Sequence, residues 1–435
     1  MIQGYAEYKD SGVEWLGGIP KSWGTAKLKF IATLYNGDSL NESQKKSYES
    51  DDTTVGYAYI SSKDITAETS TIDYNNGLRI PKEHTKFKLA PKTASLICIE
   101  GGSAGRKIAF TKENVCFVNK LACVETQQSH DPKYTFYLLK SGPFQKQFYS
   151  AMTGLIGGVA ISNIKNIELV SPPTPEQTAI ANFLDDKTAK IDDLVQIKRR
   201  QIELLVERKQ FLIQEAVTKG LNPDAKRKDS GLDWIGDIPE HWDVLRNAAL
   251  FAERKDAGQE KLPVLSVSIH SGVSSKELSA DENIRSAVKI EDRTAYKEVL
   301  PGYIAYNMMR AWQGGIGAVS VHGMVSPAYV VAKPTEGLDA NYFELLYRTP
   351  AFIWQMDANS KGITDFRKRL YWESFRELKT ILPPLSEQQD ISEFIASKSD
   401  DINDAIDIKE KQISKLNEYK TTLINAAVTG KIKVA

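Results

Sequence analysis

The 435-residue chain is predicted to be an α+β protein with two globular, strand-rich modules and two long antiparallel coiled-coil helices, arranged as a pseudo-twofold internal repeat. Three observations predict this. The segment Lys9-Asp10-Ser11-Gly12-Val13-Glu14-Trp15-Leu16-Gly17, with Ile19-Pro20 and Trp23, returns as Lys228-Asp229-Ser230-Gly231-Leu232-Asp233-Trp234-Ile235-Gly236, with Ile238-Pro239 and Trp242. A second matched pair runs from Pro172-Pro173 to Thr218 and from Pro383-Pro384 to Thr429. The stretches between them share only a skeleton of glycine and apolar positions, so a repeated framework carries two unlike surfaces. Two units this long are not a solenoid, whose periods are far shorter. The expected boundaries are 1–170 for the first module, 171–220 for the first helix, 221–382 for the second module and 383–435 for the second helix.

Each module reads as short apolar runs bounded by turn residues, the pattern of strands. In the first, Ser95-Leu96-Ile97-Cys98-Ile99 leads through Gly101-Gly102-Ser103-Ala104-Gly105-Arg106-Lys107 into Ile108-Ala109-Phe110. In the second, Tyr303-Ile304-Ala305-Tyr306 leads through Met308-Met309-Arg310-Ala311-Trp312-Gln313-Gly314-Gly315 into Ile316-Gly317-Ala318-Val319. No Walker-type Gly-Lys-Ser/Thr follows either loop, which argues against a nucleotide site. Two readings stay open: a structural hairpin turn, or a protruding loop whose small residues admit DNA while Ser103, Arg106, Lys107, Arg310, Trp312 and Gln313 reach phosphates or base edges.

A second candidate surface precedes each helix. Lys361-Gly362-Ile363-Thr364-Asp365-Phe366-Arg367-Lys368-Arg369 is locally basic, which makes Lys361, Thr364, Arg367, Lys368 and Arg369 candidate DNA contacts. The matching stretch from Thr153 to Val159 carries no charge, and the first module's lysines cluster instead at Lys82, Lys86, Lys88 and Lys92. The ordinary alternative is a solvated charged face.

The helices are announced by Thr174-Pro175-Glu176-Gln177 and by Ser386-Glu387-Gln388-Gln389, with Gly220 and Gly430 as stops. Each spans about 43 residues, roughly 65 Å if unbroken. Ile191, Val195, Ile202, Leu205, Leu212 and Ala216 recur at three- and four-residue steps, matched by Ile402, Ile406, Ile413, Leu416, Leu423 and Ala427, which is a narrow coiled-coil seam. Lys198, Lys209, Lys409 and Lys420 interrupt it at matching registers, either fixing register or snorkelling out of a broad interface. The joins between framework segments are similar in length, so the chain could close into a ring with its termini adjacent.

Bulk properties exclude more than they assign. Hydrophobic content of 41% and charged content of 26% fit a globular protein, and Lys+Arg and Asp+Glu balance at 56 each, so any DNA-binding charge is local or supplied by partners. No apolar run approaches a membrane span and the N-terminus lacks a secretory pattern, so a cytoplasmic address is expected. Cys98, Cys116 and Cys123 lack metal-ligand spacing and are expected to be reduced and half-buried. The five histidines are scattered singly, and no adenine-methylation, dinucleotide or helicase motif is present, so no catalytic residue, metal or cofactor is expected in this chain.

The duplicated Lys-Asp-Ser-Gly-x-x-Trp-x-Gly-x-Ile-Pro-x-x-Trp, the Pro-Pro-x-x-x-Gln at 172–177 and 383–388, and the Ala-Val-Thr at 216–218 and 427–429 resemble the specificity subunit of type I restriction-modification systems, over essentially the whole chain. The resemblance implies two target recognition domains, each reading half of a split double-stranded DNA site, joined by helices that act as a ruler and dock two modification (methyltransferase) subunits. It also implies that S-adenosylmethionine, ATP and magnesium belong to partner subunits, including restriction subunits that translocate and cut. Glu176, Gln177, Glu387 and Gln388 are then plausible docking residues, unless they serve only to cap helices. The competing reading is a two-module protein-interaction scaffold without DNA binding.

Overall fold

The computed structural model describes residues 4–153, 157–277, 295–362 and 368–434. Contacts divide the chain into two compact units, Met1–Arg199 with Glu410–Ala435, and Arg200–Lys409. Both contain part of each long helix, Thr174–Lys219 and Leu385–Val428.

The first unit is built on an antiparallel four-stranded sheet in the order Ile108–Phe110, Ser95–Cys98, Leu121–Thr126, Ala32–Asn36. A second sheet orders Arg79–Pro81, Gly56–Ile60, Val115–Phe117 and Leu89–Ala90, with a parallel pair at its centre. The second unit repeats the first sheet as Ile316–Ala318, Ile304–Asn307, Tyr329–Pro334, Phe251–Arg254. Its second sheet, among the described residues, has Val264–Leu265, Gly323–Val325 and Lys297–Val299, again with one parallel pair. Two modules with little sequence in common therefore share one strand order.

The repeated motifs are explained by contacts that recur in both units. Trp23 and Trp242 are completely buried. Their indole N–H groups donate to Glu176 Oε2 at 2.9 Å and Glu387 Oε2 at 3.0 Å, which ties each framework hairpin to the start of a long helix. Gln177 and Gln388, each 1% exposed, accept from the backbone N–H of Asp131 and Asp339 and donate to the carbonyls of Pro172 and Pro383. Gln177 and Gln388 are thus buried tethers, and the partly exposed Glu176 and Glu387 receive the indoles. A buried amide or indole must find partners inside the protein, and these do.

The helix ends follow the same logic. The helices stop at Lys219 and Val428, and Gly220 and Gly430 adopt φ of +74° and +72°, the left-handed conformation that closes a helix C-terminus and favours glycine. In each Ala-Val-Thr the alanine and valine are buried. The valine carbonyl accepts a tyrosine hydroxyl, Tyr342 to Val217 and Tyr134 to Val428, and the threonine hydroxyl donates one turn back. The chain's two ends meet in the first unit, where Tyr8 donates to the Gly430 carbonyl at 2.9 Å.

Along the seam Asp192 meets Lys420 and Lys209 meets Asn403, so the helices run antiparallel. Ile191, Val195, Ile402 and Leu423 are buried, whereas Ile202, Leu205, Leu212, Ile406, Ile413 and Leu416 are half-buried. A fully buried aliphatic side chain contributes about 1.5–3 kcal/mol. The half-buried stretch contributes less, and the helices rely on the modules packed at their ends.

Candidate nucleic-acid interface

The second unit brings its two candidate segments together. Asn307 starts the loop by accepting the Met309 N–H on its side chain, Ala311–Gln313 form one 3-10 turn, and Gly314 closes it at φ +85°. A Cβ on Gly315 would lie 2.9 Å from the Arg310 carbonyl, so this loop's glycines serve its own closure, which favours the hairpin-turn reading for them. Leu370 N–H then donates to the Met308 carbonyl, laying the end of the basic segment, Lys368 and Arg369, beside the loop. An antiparallel bridge pairs Lys361 with Arg369. Lys368 Nζ stands 5.1 Å from the centroid of the Trp312 ring and 2.7 Å from Asp357 Oδ1. Thr364 and Arg367 lie outside the described residues.

The first unit has the same arrangement with different chemistry. Gly101 N–H donates to the Gly157 carbonyl, and a bridge joins Thr153 to Gly158, so the glycine loop again lies beside the segment that precedes the long helix. Gly101 and Gly102 face open space, while Gly105 packs on Phe148. Arg106 is exposed and its guanidinium reaches the Gly102 carbonyl; Lys107 is half-buried and donates to the Ser62 carbonyl at 2.6 Å. Ser103 offers its carbonyl to the N–H groups of Arg106 and Lys107. Lys82, Lys86, Lys88 and Lys92 are all exposed.

These positions differ in how free they are to reach a ligand. Lys361 and Arg106 are exposed. Arg310 donates to Gln313 Oε1 at 2.7 Å, which commits part of its guanidinium within the loop. Sequence reasoning missed Met309 and Tyr371, which are exposed beside these residues and supply apolar and aromatic surface. The signal was an aromatic pair, Tyr371-Trp372, directly after the basic run.

The cysteines are fully buried, and desolvation pushes the Cys116 and Cys123 thiols up to about 12. His84, His130, His241 and His322 each bond a single neighbouring side chain or a pair of serines. Among the described residues no cluster of His, Cys, Asp or Glu is arranged to hold a metal ion, and no helix is long and apolar enough to cross a membrane.

Residues 20–204 match the family described as the type I restriction modification DNA specificity domain. A Methanocaldococcus jannaschii protein assigned as the MjaX specificity subunit of a type I restriction enzyme is 22% identical over 100% of this chain and 99% of its own. The MjaVIII specificity subunit of the same organism is 24% identical over 78% of this chain and 79% of its own. Among solved structures, a chain from work on complex assembly and conformational transition of the type I R-M system superposes with a TM-score of 0.67 at 12% identity, covering 94% of this chain and 98% of that one. The HsdS subunit from Thermoanaerobacter tengcongensis superposes at 0.51 with 14% identity, covering 95% and 98%. The structural likenesses show a shared fold.

Proposed function

We propose that this chain, whose residues 20–204 match the type I restriction modification DNA specificity domain and which aligns end to end with a specificity subunit, is the non-catalytic DNA-recognition subunit of a type I restriction-modification complex. It recognises a bipartite, asymmetric double-stranded site, one half per module, and docks modification and restriction subunits. The observation that carries this is the contrast inside the molecule. The anchors Trp23–Glu176 and Trp242–Glu387 are the same, while the loops they support carry different charge and different side chains. Segments 1–170 and 221–382 are the proposed recognition domains, and 171–220 and 383–435 the spacer helices.

The proposed DNA contacts are Ser103, Arg106, Lys107, Arg310, Trp312, Gln313, Lys361, Thr364, Arg367, Lys368 and Arg369. Leu204 and Phe211, seven residues apart on the first long helix and 48% and 63% exposed, offer the modification subunits an apolar surface. S-adenosylmethionine, ATP and magnesium are assigned to the partners, two modification subunits and the restriction subunits, and the working compartment is the cytoplasm. Retention of DNA by the assembled complex, followed across salt, tests the reading. A steep loss of affinity with rising salt is expected from phosphate contacts; a flat response would favour the scaffold without DNA binding.

A further inference from the structure

The second unit contains a cavity of about 750 Å³ where the short helix Ala340–Tyr347 faces the two long helices, with Lys209, Ile213, Leu345, Ile395, Ala396 and Ser399 in its wall. The matching place in the first unit is occupied by side chains. Asp131 and Asp339 cap equivalent eight-residue helices, Pro132–Leu139 and Ala340–Tyr347. The first of these puts Phe136 and Tyr137 where the second puts Glu344 and Leu345. The long helices likewise put Asp185, Thr188, Asp192 and Lys420 where the second unit has Ala396, Ser399, Asn403 and Lys209.

In the first unit the Tyr137 ring is buried. Its hydroxyl donates to Asp185 Oδ1 at 2.6 Å and lies 3.1 Å from the Thr188 hydroxyl. Lys420 donates to both carboxylate oxygens of Asp192, at 2.6 and 2.7 Å. The second unit replaces the phenol with Leu345, its carboxylate with Ala396 and the lysine's carboxylate with Asn403. Lys209 bonds the Asn403 amide oxygen at 3.1 Å. An aromatic ring and the carboxylates of Asp185 and Asp192 have thus given way to apolar or neutral groups, the lysine has stayed, and the wall carries Glu344 and Glu393 in place of Phe136 and Asn182.

We propose that this cavity binds a small organic anion, a carboxylate on an aromatic or other apolar body, with the carboxylate on Lys209 and the body against Ile213, Leu345 and Ile395. Two of the other charges in the wall, Glu344 and Arg348, engage each other. Glu344 accepts from Arg348 at 3.1 Å and from the Ala318 N–H at 2.8 Å. Arg348 also donates to the carbonyls of Ile269 and His270. Glu393 and His270 also line the cavity and are exposed to solvent, which screens the Glu393 carboxylate. Ser399 and Asn341 add hydroxyl and amide groups suited to a polar substituent, while the Ser392 hydroxyl is held by the Asp339 carboxylate.

Calorimetric titration of the full chain with 4-hydroxyphenylacetate, beside the neutral 4-hydroxyphenylethanol, tests the site. Saturable binding of the acid is expected, at least tenfold weaker for the alcohol and at least tenfold weaker in Lys209→Met. Rebuilding the first unit's filling with Leu345→Tyr and Ala396→Asp abolishes binding while the melting temperature holds or rises. No saturable binding of the acid, or binding that Lys209→Met leaves unchanged, overturns the proposal.

Discussion

Lys420 and Lys209 occupy matching places on the two long helices and face unlike partners. Lys420 is 7% exposed and clasps the Asp192 carboxylate through both oxygens, whereas Lys209 touches the neutral Asn403 amide beside an open cavity. The helix backbones are duplicated, but the charges they carry are not. One seam lysine is part of the first unit's core and the other is available to solvent. Polar seam residues that recur by sequence are therefore not equivalent by function, and the register-fixing role fits Lys420 and not Lys209.

The largest expected effect breaks that contrast. Lys420→Met strands the Asp192 carboxylate and should cost about 3 kcal/mol in urea denaturation, the low end for breaking a buried pair because Asp192 is partly solvated. Lys209→Met should cost under about 1 kcal/mol. Replacing both Lys420 and Asp192 with apolar residues should recover most of the loss. Equal costs for the two lysines would erase the distinction.

The framework anchors provide the control in which the two units should agree. Trp23→Phe and Trp242→Phe each remove an indole N–H from a carboxylate, and each should cost about 2 kcal/mol. Unequal losses would show that the repeated motif does different work in its two copies.

A pH series separates the units again. Burial, followed by the neighbouring Lys420, holds the Lys140 ammonium down to about 8, below its ordinary 10.5. Between those values the unfolded chain binds the extra proton, so the cost of burying Lys140 is full below about pH 8 and stability rises from there towards 10.5. Lys140→Met should remove that rise. Its counterpart Arg348 pairs with Glu344 instead. The smallest effect is expected from Asn403→Asp, which gives Lys209 a carboxylate and should add less than about 1 kcal/mol.

The helices and the repeat were legible in the sequence because their signals are local. Proline and glycine mark the ends at Thr174, Gly220 and Gly430, and the seam residues recur at short steps. The roles of Glu176 and Gln177 were not legible. Their partners, Trp23 and Asp131, are distant in sequence, and a polar pair at a helix start looks the same whether it caps, docks or binds an indole. The strand order was equally hidden, since Val115–Phe117 pairs in parallel with Gly56–Ile60 across a long excursion. At the candidate interface composition located the basic segment, but only coordinates could show Arg310 held by Gln313 and Lys368 by Asp357.

The most direct test of one reader per module is to map methylated adenines in cells expressing this chain with its modification subunits, before and after residues 229–382 are replaced by the corresponding module of a relative. A bipartite motif of which only one half changes is the expected result. Methylation without a bipartite motif, or a replacement that alters both halves together, would contradict it.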